Sequence, residues 1–415
     1  MNTFEPCENK EDGSLPPITA LLLAWYDGSR RILPWREDPS PYHVWLSEIM
    51  LQQTRVEAVI PYYERFLAEL PDVGALAAAP EDRLLKLWEG LGYYSRVRNL
   101  QKAARQVMEN YGGALPSDPK QLQQLAGIGP YTAAAIASIA FGVPVPSVDG
   151  NLLRVYARLT GYRENILAPA AKKLAEQAFA KILPPDRPGD MNQALMDLGA
   201  TVCLPNGAPL CDACPVSAFC AARKEGLQAR LPVAEKKAPR RVEKRTVLLI
   251  RAEDPACPSM TGSGEEASGA SPSLTGSDKG AACVSSGAAA ENEDIGLILL
   301  RKRPARGLLA GLWEFPNAEG HLSEKEVRLL CEKWGLSITQ ILPLPPSRHV
   351  FTHLEWDMAG YEVLVKQDPA GDVSSKETAA PVSDSKTDGV FVPVRLVFSD
   401  HALPSAFAAY TALLR

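Results

Sequence analysis

Leu125-Ala126-Gly127-Ile128-Gly129-Pro130-Tyr131-Thr132 decides how the first half of this 415-residue chain is read. An alanine-rich apolar run follows to about Phe141, and that spacing predicts a helix. Pro130 suits the first helical position, and the two glycines permit a tight turn with positive φ. Such a turn would present backbone N–H groups at a helix N-terminus, which can hold a phosphate whatever the base sequence. Ordinary turns use the same letters, so Gly-x-Gly alone says little. It gains weight because Val148-Asp149-Gly150-Asn151 follows the next break, ahead of another helical run. Asp149 reads as the N-cap of that helix. The helix N-terminus would keep a capping carboxylate ionised, so a structural and a chemical role are compatible there.

Outward from this point, residues 15–225 read as helical, with long apolar periodicities and short breaks. Residues 1–14 are acidic and polar, and 226–244 form a basic linker. Residues 245–415 change style, with short β-rich runs at Thr246–Ile250, Ile295–Leu300, Tyr361–Val365 and Gly389–Val394. One helix, Glu324–Trp334, is predicted among them, giving an α+β domain. Residues 252–294 and 367–389 are Ser-, Gly- and acid-rich and read as disordered loop inserts between strands. The fold class is therefore multidomain, an all-α domain followed by an α+β domain.

A net charge of −5 is unexpected for a phosphate-binding protein, but the charge is unevenly placed. Residues 1–13, 252–294 and 367–389 carry −3, −7 and −3, so the remainder is +8. The folding part is basic, as a nucleic-acid surface requires. Hydrophobic residues at 46% and charged residues at 22% suit a soluble globular chain. No apolar run approaches the roughly 20 residues of a membrane helix. With no secretory signal in view, a cytoplasmic location is the expectation.

Cys203, Cys211, Cys214 and Cys220 are spaced C-x7-C-x2-C-x5-C. Crowding of this kind without a secretion signal argues for metal binding rather than disulfides. Zinc usually takes two C-x2-C knuckles, whereas four thiolates in a short loop can also wrap a cubane cluster. Spacing leaves both open. Cys7, Cys257, Cys283 and Cys331 receive no role.

Trp45-Leu46-Ser47-Glu48-Ile49-Met50-Leu51-Gln52-Gln53-Thr54-Arg55-Val56 reads as one helix, with Glu48, Gln52 and Arg55 on a shared face. Most glutamates in such stripes are simply solvated. Trp45 and Leu51 flank Glu48, however, and apolar surroundings would raise its pKa and let it donate a proton near neutrality. Leu33-Pro34-Trp35-Arg36 lies upstream and Trp88-Glu89-Gly90-Leu91-Gly92-Tyr93-Tyr94-Ser95-Arg96 downstream. Gly92 beside two tyrosines suggests an exposed turn tip from which an aromatic could stack on bases.

Together with Met191–Ala200 and the cysteines, these motifs resemble the MutY-type adenine DNA glycosylases of the endonuclease III helix-hairpin-helix superfamily. The resemblance covers nearly all of 15–225 and, more loosely, 240–415. It implies a base-excision-repair enzyme, a monomer acting on double-stranded DNA with 8-oxoguanine:A or G:A mispairs, and a 4Fe-4S cluster on Cys203, Cys211, Cys214 and Cys220. It also implies roles for matching residues. Glu48 would protonate adenine, and Asp149 would stabilise or capture the oxocarbenium-like sugar. Tyr131 would orient Asp149, and Asn151 would help position the site. Trp35, Arg36, Leu51 and Gln193 would line the pocket for the extruded adenine. Gln53 and Tyr93 would intercalate beside the lesion, with Thr54 and Leu91 facing the oxidised base and Gly127 and Gly129 forming the hairpin. Bifunctional relatives carry lysine where Tyr131 stands; tyrosine forms no Schiff base, so an abasic site is the expected product.

Two departures accompany the likeness: a first cysteine spacer of x7 where x6 is usual, and Ala126 where a hairpin proline is common. The second domain resembles a Nudix-like lesion-recognition module, carried by Gly307–Pro316. In its nearest approach to a Nudix box, Arg328–Leu336, Leu329 and Lys333 occupy glutamate positions, so the metal site is lost. Phe351, Thr352 and His353 would contact 8-oxoguanine, with a strand-face histidine as the lesser alternative for His353. The rival readings are a bifunctional glycosylase/lyase and a non-catalytic iron–sulfur DNA-binding scaffold.

Overall fold

A computed structural model describes residues 15–205, 207–235, 239–253, 296–366 and 389–415. The chain divides after Pro239 into two compact units. The acidic N-terminus lies outside the described residues, as do both inserts apart from Ala252, Glu253 and Gly389.

The described residues of the first unit form helices and turns without a strand. Proline opens the helices Pro41–Leu51, Pro130–Phe141, Pro169–Ala180 and Pro188–Asp197. At that position its missing N–H costs nothing and its fixed φ is already helical. Left-handed glycines close three helices, with Gly112, Gly142 and Gly161 each returning an N–H to an earlier carbonyl. Pro130–Phe141 packs against Pro41–Leu51 and Pro188–Asp197. It is buried from Thr132 through Ser138, and its alanines let the neighbours come close. A Cβ on Gly189 would meet the Ser138 carbonyl oxygen at 2.7 Å. This trio of helices brings Glu48, Tyr131 and Gln193 together.

The helix bearing Glu48 is shorter than its periodicity predicts. It ends at Leu51; Gln52 turns out to ψ 112°, and Gln53 is left-handed at φ 59°. Glu48, Gln52 and Arg55 therefore do not share one helical face. A left-handed glutamine is costly, and no letter in the sequence announces it.

The second unit is a seven-stranded sheet. Its strands are β1 (Arg241–Ala252), β2 (Leu297–Lys302), β3 (Trp313–Glu314), β4 (Asn317–Glu319), β5 (Ile338–Val350), β6 (Leu354–Val365) and β7 (Gly389–Pro393). The order is β3-β2-β1-β6-β5, with β4 pairing β1 and β7 pairing β2. β1 and β6 run parallel from Arg241 opposite Leu354 to Ala252 opposite Val365. Alternation along β1 divides the core: Val247 and Leu249 face Phe315, Trp356 and Phe407, whereas Leu248 and Ile250 face Val327 and Cys331. The helix Glu324–Lys333, closed at its start by a Ser323/Glu326 capping box, covers the second face.

β1 begins inside the stretch read as linker, and β5 was not anticipated at all. Its Pro343, Pro345 and Pro346 speak against a strand, but β5 is the sheet edge, where a missing N–H is tolerated. No helix among the described residues is long and apolar enough to cross a membrane.

Candidate functional site

A cavity of about 420 Å³ opens among these helices, lined by Trp35, Arg36, Glu48, Leu51, Thr54, Tyr131, Asp149, Asn151 and Gln193, with Arg31, Met196 and others. Residues separated by more than a hundred positions in sequence thus face one space. Glu48 is only 7% exposed. Burial pushes its carboxyl up to about 7, helped by the nearby Asp149 and opposed by a hydrogen bond from Tyr131 and by Arg36. The elevation expected from its apolar neighbours is therefore present, and Trp45 beside it is fully buried.

Asp149 caps the helix Gly150–Thr160, accepting from the Leu152 N–H at 2.8 Å. The Asn151 Nδ2 donates to its other oxygen at 2.9 Å. Contrary to the expectation of a carboxylate held low by the helix terminus, burial raises the Asp149 pKa, opposed by Leu152, Asn151 and Arg154. Desolvation outweighs the cap. The Tyr131 hydroxyl donates to Met196 Sδ at 4.0 Å, and both Glu48 and Asp149 act on it electrostatically.

Asp197 is the residue that sequence reasoning missed here. It is 1% exposed and accepts from Arg36 Nη1 at 2.8 Å and Nη2 at 2.9 Å. Arg31 Nε adds a bond at 2.7 Å. Burial raises the Asp197 pKa, but the two arginines outweigh it and hold the carboxyl below its ordinary range. The only signal available was its place four residues after Gln193 on the same helix, one turn along the same face.

The turn after Leu51 borders the cavity through Leu51 and Thr54. Gln53 and Tyr93 are non-glycine residues with positive φ, 59° and 50°, and Tyr93 is 45% exposed. Strain of this kind persists only where the surroundings enforce it and gathers at functional sites. Thr54 is half-buried. Leu91 is 6% exposed and anchors its turn.

In the hairpin, Gly127 alone has positive φ, 76°. A Cβ on it would meet that of Asn99 at 2.7 Å. Gly129 is extended and caps the Pro130 helix without a side-chain hydrogen bond. Ala126 uses the N–H that proline lacks, donating to Gln106 at 2.8 Å.

Cys203, Cys211, Cys214 and Cys220 line one cavity with Val155, Leu159, Leu198, Val202 and Val216. Burial pushes the Cys214 thiol up to about 11 and raises Cys220 as well. Among the described residues, no three His, Cys, Asp or Glu side chains converge closely enough to hold a single metal ion. The extra residue of the first spacer falls in a turn where Gly207 has φ 78°. A π-helical turn, Leu198–Val202, leads into Cys203. Arg154 bonds the Cys203 carbonyl at 2.8 Å and Asn151 Oδ1 at 2.9 Å, so the cysteine loop and the Asp149 cap share one partner.

In the second unit, Thr352 and His353 lie exposed in the turn between β5 and β6, not on a strand face. Phe351 anchors that turn, its ring 5.0 Å from Trp356. Leu329 is 50% exposed on its helix.

Residues 46–185 match the HhH-GPD superfamily base excision DNA repair protein family, and residues 288–412 match the NUDIX domain. The chain is 39% identical to the adenine DNA glycosylase of Mus musculus over 84% of its own length and 71% of that protein. It is 40% identical to the adenine DNA glycosylase of Homo sapiens over 80% of its length and 64% of that protein. A solved thermostable thymine-DNA glycosylase aligns with 50% of this chain and 95% of its own, at 28% identity and a TM-score of 0.46. With the carboxylates, hairpin and sheet in place, the chain belongs to the adenine DNA glycosylase family, joining a helix-hairpin-helix base-excision-repair domain to a Nudix-like domain.

Proposed function

We propose that this adenine DNA glycosylase hydrolyses the N-glycosidic bond of adenine paired with 8-oxoguanine or guanine in duplex DNA, leaving an abasic site. The observation that carries the mechanism is Glu48, a buried carboxyl titrating at about 7 and facing the same cavity as Asp149. Glu48 donates its proton to the extruded adenine and turns a poor leaving group into a neutral one. Asp149, with several hydrogen-bond donors to support its anion, stabilises the positive sugar or bonds to it before water attacks. Tyr131 holds Glu48, and Asn151 holds Asp149. Trp35, Arg36, Leu51 and Gln193 form the base pocket. Gln53 and Tyr93 enter the stack, Thr54 lies toward the opposing base, and the Gly127–Gly129 hairpin grips phosphate. No lysine lines the cavity among the described residues, which supports hydrolysis over a Schiff-base lyase.

A 4Fe-4S cluster suits the cysteine loop better than zinc, because four thiols surround an apolar cavity without converging on one point. Cys203, Cys211, Cys214 and Cys220 would hold the cluster as thiolates, and it would tie their loop together. In the second unit, Thr352 and His353 present donors and acceptors from an anchored turn, which suits contact with 8-oxoguanine. Leu329 and Lys333 replace two of the three carboxylates of a Nudix metal site, leaving Glu332 alone.

The deciding experiment is single-turnover incubation with a labelled duplex holding one 8-oxoguanine:A pair, read with and without alkali. Adenine-strand cleavage only after alkali is expected. Cleavage without alkali would instead require an amine nucleophile, and no product would leave a DNA-binding scaffold.

A further inference from the structure

Arg96, the second residue of the helix Ser95–Tyr111, is 8% exposed and lies between the two strained turns. Its Nη1 donates to the carbonyls of Ile49 at 2.9 Å, Met50 at 2.8 Å and Gln52 at 2.6 Å. Its Nη2 donates to the carbonyls of Leu91 and Gly92, both at 3.0 Å, and to Thr54 Oγ1 at 3.2 Å. The guanidinium also stacks 5.3 Å from the Trp88 ring centroid and 5.5 Å from that of Tyr93. Every hydrogen-bond acceptor here is a neutral oxygen, and burial pushes the arginine down to about 10.

A buried cation without a carboxylate is costly to keep. What it gains is contact with the backbone just before Gln53 and just before Tyr93, the left-handed non-glycine residues among the described residues of the first unit. One planar fork reaches both turns: Nη1 takes the Ile49, Met50 and Gln52 carbonyls, and Nη2 joins the Leu91 and Gly92 carbonyls to Thr54 Oγ1. We propose that Arg96 is a positioning residue that locks the Leu51–Thr54 and Leu91–Tyr93 turns together, so that Gln53 and Tyr93 enter the duplex as one two-pronged wedge. This rests on the reading that both residues enter the base stack. A lysine, with three donors on a single nitrogen, cannot meet all six oxygens at once.

The test uses the full chain carrying Glu48→Gln, which retains the duplex uncleaved, and an 8-oxoguanine:A duplex with 2-aminopurine beside the adenine. Adding Arg96→Lys should leave duplex affinity within about threefold while cutting the fluorescence rise at saturation at least about fivefold. With Glu48 intact, Arg96→Lys should slow adenine release at least about tenfold. Loss of signal in proportion to loss of binding, or an unchanged signal at saturation, overturns the proposal. The double variant Gln53→Ala/Tyr93→Ala separates the two possible failures. If it abolishes the signal that Arg96→Lys keeps, the clamp is wrong. If it too keeps the signal, the wedge is wrong and the clamp falls with it. Should Arg96→Lys fail to fold, Thr54→Val removes one acceptor. Hydrogen exchange at the Gly92 and Tyr93 amides, linked to that hydroxyl through Arg96, should then rise about twofold or more. No change in exchange there also overturns the clamp.

Discussion

Each unit buries a glutamate, and the two are treated in opposite ways. Glu314, on β3, is 1% exposed. It accepts from Arg301 Nη2 and Asn317 Nδ2, both at 2.8 Å, and also from Arg303. Glu48 is 7% exposed, yet its direct donor is the neutral Tyr131, and its carboxyl sits at about 7. Arg36 would be its natural counter-charge, but both Nη groups of that arginine are committed to Asp197. Burial pushes the Glu48 carboxyl up, and Arg36, tied to Asp197, opposes it only in part. In the second unit the same residue type, fully paired, becomes a structural tie.

The largest effect should come from removing the proton. Glu48→Gln keeps shape and hydrogen bonding but cannot donate, and adenine release should fall by at least about a thousandfold. Duplex binding, which rests on phosphate contacts, should stay within a few fold. Single-turnover release alongside a gel-shift titration checks both, and retained release would remove Glu48 from the acid role.

Asp197→Asn attacks the comparison from the other side. Without its partner, Arg36 is left to act on Glu48, whose carboxyl should then fall below 7. Each unit of that fall lowers the protonated fraction about tenfold above the pKa. Release should drop by about tenfold or more at pH 8 and much less at pH 5.5, so the alkaline limb of the pH–rate profile moves to lower pH. An equal loss at both pH values would mean that the damage is to packing.

Glu48 was legible in the sequence because its apolar neighbours are local: Trp45 and Leu51 lie on the same helix. What withholds its counter-charge was not legible, since Arg36 and Asp197 are 161 residues apart. Arg96 closes a quoted motif, but its acceptors are carbonyls, and backbone atoms leave no trace in the letters. The cap at Asp149 was readable from Val148-Asp149-Gly150-Asn151, whereas its raised pKa depends on burial by distant elements. The sheet was foreseen from its short apolar runs, yet β5 escaped because its prolines are tolerated only at an edge, and edges are a property of topology.

Glu314→Gln should be felt in stability. It strands Arg301 and Arg303 beside a neutral amide, and breaking a buried pair costs about 3–5 kcal/mol. Because Arg301 retains 31% side-chain exposure, a loss nearer about 2 kcal/mol is expected. Hydrogen exchange of the β1 and β2 amides in the full chain would report it. Protection unchanged from wild type would mean that the arginines find water or other acceptors, and the tie would be ornamental.

The smallest effect carries the most direct test of sign. Glu48 binds its proton more tightly in the folded chain, at about 7, than at its ordinary value of 4.5. A raised carboxyl contributes stability that is complete below the unfolded value and is lost as pH rises through the folded one. The window therefore runs from about pH 4.5 to 7, and above it the wild-type chain holds an ionised, poorly compensated carboxylate. The full shift corresponds to at most about 3 kcal/mol. Glu48→Gln, neutral at every pH, should then be more stable than wild type at pH 8 by about 1–3 kcal/mol and close to it at pH 4.5. Urea unfolding of the first unit, followed by its helical signal at the two pH values, measures the difference. The opposite substitution effect at Glu314 makes the pair decisive: one buried glutamate costs stability and supplies chemistry, and the other supplies stability alone. If both substitutions destabilise at pH 8, Glu48 is held by a compensating partner that its geometry does not provide.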